Sequence, residues 1–233
     1  MTSKIFIEEL NKFKSPKELD KVDKYFKGND KETKALGVKF GDVFKLAKKY
    51  ENMPLEEINK LLYSKYYEIR MGAVSIMGYR ARNKKTSEET KKQLFNLYIN
   101  RHDRLNNWDF VDRASYDVIG AYLLDKPRGL LYKLAVSKNI WERRTAIVST
   151  YAFIKKNDTA DTFKIAEILV HDEEELINKA VGSWVREAGK KDAKKLKDFL
   201  NKYAPSMPRV TLRYAIEKLT EDEKKYYLNM KKE

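Results

Sequence analysis

The chain of 233 residues contains no cysteine and only two histidines, His102 and His171. Without cysteine it can form no disulfide, no thiolate nucleophile and no zinc or iron–sulfur site that depends on Cys ligands. Two imidazoles leave almost no material for a Ser-His-Asp triad or a His-rich metal site. We therefore expect a function that uses no metal and no other cofactor.

Glycine, proline and long apolar stretches are also scarce. Nine Gly and five Pro are too few for a turn-rich β protein, which needs a turn signal about every 8 to 12 residues. No stretch approaches the roughly 18 to 20 apolar residues of a membrane-spanning helix. The first residues lack the apolar core of a secretory signal peptide. These features predict a helical, cytoplasmic protein that has no membrane partner.

Positive charge, in contrast, is abundant. Lys and Arg number 49 against 35 Asp and Glu, a net charge of +14. The hydrophobic share of 42% is still sufficient for a folded core. The excess charge favours a polyanionic partner, nucleic acid before an anionic membrane. A Lys-rich surface without a binding role is the alternative that composition leaves open.

One type of helix recurs along the chain. Its copies begin at Arg70, Asp112, Arg144 and Lys179, at offsets of 42, 32 and 35 residues, and each runs through small and aliphatic residues. A second, more amphipathic helix follows each copy, at residues 88–100, 127–137, 159–170 and 192–203. Such repeated pairs predict an all-α fold, an α-solenoid of HEAT-like antiparallel helix pairs. We expect a single domain over residues 1–233, whose repeats occupy residues 66–233; a non-repetitive helical bundle is the alternative.

Equivalent positions of successive repeats lie on one face of a solenoid, usually the concave face. Such a face would be basic here and would suit the phosphodiester backbone of a duplex, with an arginine fork or a lysine charge on phosphate. The residues predicted to line it are Arg70, Asp112, Arg144 and Lys179, and the last repeat can extend it with Arg209 and Arg213.

No common catalytic motif for ATP, dinucleotide or zinc chemistry is present. The carboxylate of Asp112 is the exception in the otherwise cationic set. Trp108 lies four residues before it, so that the indole and the carboxylate share one face of a helix. A carboxylate beside an aromatic wall can stabilise a developing cation. Alternatively, Asp112 caps the helix or pairs with Arg144, and Trp108 belongs to the core.

The same residues carry a resemblance to a known family. Over residues 106–227 the sequence resembles the AlkD-type DNA glycosylases of the DNA alkylation repair family, which are built from HEAT-like repeats. Residues 1–65 resemble the family more weakly, through Leu36-Gly-Val-Lys39. The matching stretches are Asn107-Trp-Asp-Phe-Val-Asp112, residues 139–147, Lys179-Ala-Val-Gly182 with Arg186-Glu187, and residues 207–215.

The resemblance implies excision of positively charged N3- and N7-alkylated purines from duplex DNA, by hydrolysis of the N-glycosidic bond and without base flipping. It implies a catalytic role for Asp112, a sugar contact for Trp108 and a DNA-facing position for Arg144. We expect duplex DNA with alkylated bases as the partner, no obligate protein partner, a monomer, and nucleoid association through DNA binding.

One family position departs from the pattern. The tryptophan that normally follows the Ala-x-Gly of this helix is Ser183 here, and Trp184 stands one place later. A shift of one residue turns a helical side chain by about 100°. Trp184 is therefore the candidate for the second aromatic wall only if the helix is locally rotated. The alternative function is a noncatalytic duplex-DNA-binding protein of the same family.

Overall fold

A computed structural model describes residues 1–19, 26 and 32–230 of the chain. By its internal contacts the chain forms two compact units, Met1–Tyr122 and Leu123–Glu233. The first unit contains α1 (Ser3–Asn11), α2 (Phe40–Lys49), α3 (Leu55–Leu62), α4 (Tyr67–Arg82), α5 (Glu88–Ile99) and α6 (Trp108–Ser115), which continues into a π-helical turn, Tyr116–Gly120.

The second unit is also built of helices. These are α7 (Gly129–Ala135), α8 (Ile140–Ser149), α9 (Tyr151–Ile154), α10 (Ala160–Leu169), α11 (Glu175–Gly189), α12 (Ala193–Tyr203), α13 (Arg209–Ala215) and α14 (Glu221–Asn229). Within the described residues, β structure is limited to one isolated bridge between Lys34 and Tyr66. In the same part of the chain no helix is long and apolar enough to span a membrane.

The predicted all-α, solenoid-like fold is confirmed. The four recurring helices are α4, α6, α8 and α11, and the predicted second helices at 88–100, 127–137, 159–170 and 192–203 are α5, α7, α10 and α12, with ends that differ by at most two residues. The parts of the predicted domain at residues 20–25, 27–31 and 231–233 lie outside the described residues.

Helix α4 is the centre of the first unit. All of its residues from Tyr67 to Gly78 are buried, as expected for a helix that has neighbours on every side. It packs against α2, α3 and α6. A Cβ atom on Gly72 would lie 2.6 Å from the ring of Phe6, so glycine is what allows α1 to approach.

Helix α11 has the same central position in the second unit and packs most extensively against α13. A Cβ atom on Gly182 would lie 2.5 Å from the carbonyl oxygen of Thr211 and 2.6 Å from the Cβ of Tyr214. Glycine at this position therefore permits the close packing of α11 against α13.

Candidate functional site

Helix α6 has one buried face and one partly exposed face. Phe110, Val111 and Ala114 are fully buried, whereas Trp108 and Asp112, four residues apart, are partly exposed. The apolar residues point into the first unit and thereby fix which face remains accessible. The helix therefore presents the indole and the carboxylate together, as the spacing predicts.

A pocket of about 390 Å³ opens beside this face. Its lining combines aromatic and apolar side chains with two carboxylates and one guanidinium. The lining residues are Phe40, Phe44, Met71, Trp108, Asp109, Asp112 and Arg113. A mainly apolar concavity with a few converging polar groups is the usual form of a ligand site.

Asp109 is held at the edge of this pocket by a small polar network. The Tyr67 hydroxyl donates to one carboxylate oxygen, and Asn107 Nδ2 donates to the other at 2.7 Å and to the Tyr67 oxygen at 3.1 Å. Burial raises the pKa of Asp109 to about 6, aided by the charge of Asp112 and opposed by these hydrogen bonds. Burial, followed by the charge of Asp109, also raises the pKa of Tyr67, which therefore remains a neutral donor.

Arg113 lines the same pocket and has its own set of contacts. Its Nε donates to the buried hydroxyl of Ser75 at 2.9 Å. The guanidinium lies 4.0 Å from the ring centroid of Phe44 and 5.0 Å from that of Tyr79. Stacking and the Ser75 bond together fix the plane of the guanidinium.

The aromatic wall on α2 depends on a buried carboxylate of α4. Glu68 is 0% exposed and accepts hydrogen bonds from the backbone N–H groups of Leu36 (2.8 Å), Gly37 (2.8 Å) and Val38 (3.3 Å). These residues directly precede α2, and Gly37 has a φ of 82°, which glycine adopts without steric cost. The clamp therefore sets where Phe40 and Phe44 enter the pocket.

The DNA-facing role predicted for Arg70 is wrong. Its side chain is 0% exposed; Nη1 donates to Asn106 Oδ1 at 2.7 Å, Nη2 donates to the hydroxyl of Thr33, and the guanidinium lies 5.2 Å from the Phe110 ring. Arg70 thus ties the segment before α6 to α4. The repeat pattern identifies its helical position but not the residues that cover it.

The cations predicted in the second unit differ in exposure. Arg144 is 7% exposed, and its Nη1 donates to the Leu176 carbonyl at 2.6 Å. Lys179 is half-exposed and pairs with Glu175 at 2.6 Å. Arg209 and Arg213 are both exposed on α13, and Arg209 Nη2 donates to the Leu228 carbonyl at 2.8 Å.

Trp184 is partly exposed on α11 and contacts another aromatic ring. Its ring centroid lies 4.9 Å from that of Tyr151, with 37° between the ring planes. Ser183 is partly exposed beside it. The second unit thus presents a Trp–Tyr pair at the position where the sequence departs from the family.

Five pocket residues were not predicted from the sequence: Phe40, Phe44, Met71, Asp109 and Arg113. For Asp109 and Arg113 a signal was present, because they form a second i, i+4 pair next to Trp108 and Asp112 on the same helix. For Phe40 and Phe44 no local signal exists, since they reach the pocket through the Glu68 clamp. Among the described residues, no group of three or more His, Asp or Glu side chains could hold a metal ion.

Together these features define the class of protein: an all-α, HEAT-like repeat protein with a carboxylate and aromatic pocket on one of its recurring helices. Its sequence matches the family described as DNA alkylation repair enzyme over residues 6–219. The chain therefore belongs to the DNA alkylation repair family, and this membership supports a role in DNA repair.

A solved structure has the same fold. It is a predicted DNA alkylation repair enzyme from Enterococcus faecalis, with 17% sequence identity and a TM-score of 0.69; the match covers 89% of this chain and 97% of that chain. No curated protein matches the sequence.

Proposed function

We propose that this protein is a DNA glycosylase that removes positively charged N3- and N7-alkylated purines from duplex DNA by hydrolysing the N-glycosidic bond. The observation that carries the proposal is the joint presentation of Trp108 and Asp112 by α6 at an open aromatic pocket, in a chain of the DNA alkylation repair family.

The chemistry needs few protein groups. An N3- or N7-alkylated purine carries a formal positive charge, so it leaves as a neutral base without a strong general acid. The deoxyribose then develops oxocarbenium character, which a nearby carboxylate stabilises by Coulombic attraction. Asp112 has this role in the proposal, and it also orients the attacking water without forming a covalent bond to the sugar.

The aromatic residues have a separate role. The indole of Trp108 packs against the sugar, whose apolar face and partial positive charge both suit an aromatic surface. The ring of Phe44, on α2, also lines the pocket. Such a wall excludes bulk water and strengthens the attraction between Asp112 and the sugar.

The second unit contributes attraction for the phosphate backbone in this proposal. Lys179, Arg209 and Arg213 expose their charges, and each phosphate that they neutralise releases counterions from the duplex. Arg144, fixed by the Leu176 carbonyl, retains the DNA-facing role that the resemblance implies. Binding through the backbone allows the lesion to stay stacked, so that base flipping is not required.

A noncatalytic duplex-binding protein of the same family is the second candidate. The observation that favours it is the contact between Trp184 and Tyr151 at 4.9 Å, because an indole that is already packed on tyrosine offers less of its surface to a sugar. This candidate predicts salt-dependent duplex binding without release of any base.

The deciding experiment is a base-release assay on duplex DNA treated with a methylating agent. Wild type, Asp112→Asn and a matched control, Asp103→Asn, are compared; Asp103 is exposed and outside the pocket lining. We expect wild type and the control to release 7-methylguanine or 3-methyladenine, and Asp112→Asn to be slower by about 10² to 10³-fold. Duplex binding by wild type without any release would reject the glycosylase and support the second candidate.

A further inference from the structure

The pocket in the first unit poses an electrostatic problem for a DNA-binding site. Asp109 and Asp112 both line it, and two carboxylates repel the phosphates that must pass close to them. Arg70, predicted from the sequence to line a basic face for DNA, is buried and hydrogen-bonded to Asn106. A phosphate near the pocket therefore needs another cation.

Arg113 is the cation in the pocket lining. It follows Asp109 by four residues on α6, so that the two side chains emerge from the same face of the helix. The carboxylate of Asp109, however, accepts from Tyr67 and Asn107. Among the residues that the structure describes, Ser75 is the hydrogen-bond partner of Arg113.

The contacts of Arg113 with the described residues use only one of the hydrogen-bond donors of its guanidinium. A guanidinium has five N–H donors, and the bond to Ser75 uses the one on Nε. Phe44 at 4.0 Å and Tyr79 at 5.0 Å contact the ion without using hydrogen bonds. The two Nη groups carry four donors in a planar fork, whose geometry matches two oxygens of a phosphate.

We propose that Arg113 binds a backbone phosphate of the duplex beside the lesion, and so draws a polyanion to a pocket that contains two carboxylates. The proposal deepens the proposed function, on which its reference to the lesion depends. In this role Arg113 binds substrate and does not take part in bond breaking, so its removal weakens the binding of DNA and raises KM while kcat changes little.

The first test measures the salt dependence of binding to a duplex that contains an abasic-site analogue. For each phosphate that the protein no longer neutralises, the slope of log K against log salt concentration decreases by about 0.9. We expect this decrease in Arg113→Gln, with affinity reduced about tenfold. Arg113→Lys keeps the charge and should retain the slope at a lower affinity, because lysine cannot reproduce the fork.

Lys92→Gln is the matched control, since it removes one charge from an exposed position of the same unit outside the pocket lining. Its slope should remain that of wild type. An equal decrease in Lys92→Gln, or an unchanged slope in Arg113→Gln, would overturn the proposal. Circular dichroism and thermal unfolding show whether each variant is folded. If Arg113→Gln does not fold, the proposal is tested with Arg113→Lys and with the next experiment.

The second test locates the phosphate. In a series of duplexes, one phosphate near the abasic analogue at a time is replaced by a neutral methylphosphonate. One replacement should weaken binding by wild type about tenfold and have no effect on the variant at position 113. Additive effects at every phosphate would overturn the proposal, as would failure of wild type to bind duplex DNA. If one methylphosphonate weakens binding by wild type but not by the variant, and wild type releases no base, the phosphate site is retained and the glycosylase is rejected.

Discussion

Replacing Glu68 by glutamine should destabilise the protein more than its conservative shape suggests. The carboxylate is fully buried and accepts three backbone N–H groups, two of them, from Gly37 and Val38, on Oε1 and one, from Leu36, on Oε2. A glutamine oxygen can replace Oε1, but its amide nitrogen is a donor and would face the N–H of Leu36.

The magnitude follows from these contacts. A buried donor without a partner costs about 1 to 3 kcal/mol, and hydrogen bonds to a charged group are stronger than those to an amide. We therefore expect Glu68→Gln to lower the free energy of unfolding by about 2 to 4 kcal/mol. Glu68→Ala leaves all three N–H groups without this acceptor, and should cost about 3 to 5 kcal/mol.

Urea unfolding followed by circular dichroism measures these decreases. Glu89→Gln is the control, because Glu89 is exposed on α5 and its replacement should change stability by no more than about 0.5 kcal/mol. Base release by Glu68→Gln should also fall, since the clamp holds the segment that leads to Phe40 and Phe44. A decrease below about 1 kcal/mol would refute the idea that Glu68 anchors this segment.

Two further predictions concern stability. The native pKa of Asp109 is about 6 and the unfolded value is about 3.9, so ionising Asp109 costs the native state about 3 kcal/mol as pH rises from about 4 to above 6. Relative to wild type, Asp109→Asn should therefore gain about 2 to 3 kcal/mol in its free energy of unfolding between pH 4 and pH 7. If urea unfolding shows the same pH dependence of this free energy in both proteins, the reasoning is contradicted. Gly182→Ala places a Cβ 2.5 Å from the Thr211 carbonyl oxygen. It should cost about 1 to 3 kcal/mol, whereas an unchanged Tm would refute close packing of α11 on α13.

The helices could be predicted from the sequence because their signals are local. Apolar spacing, small residues and polar segments between helices lie within one or two turns of the structure that they specify. The recurring helix at Lys179, for example, occurs as Glu175–Gly189, followed by α12 at Ala193–Tyr203. The spacing of Trp108 and Asp112 is local in the same sense, and both residues line the pocket.

Whether an individual charged side chain is buried or lines the pocket could not be predicted in this way. Arg70 and Arg113 are both basic residues on recurring helices, but Arg70 is held by residues 33, 104 and 106, whereas Arg113 lines the pocket. Whether a long cationic side chain is buried depends on segments distant in sequence, which helical periodicity does not describe. The Glu68 clamp joins residues 30 to 32 positions apart and is invisible for the same reason.

Single-turnover excision tests most directly whether the Asp112 carboxylate stabilises a developing sugar cation. Wild type and Asp112→Asn are each mixed in excess with a duplex containing one 7-methylguanine or 3-methyladenine, and release of the base is followed over time. We expect similar duplex affinity for both proteins and an excision rate about 10² to 10³-fold lower for the variant. Equal rates in the two proteins would contradict this role of Asp112.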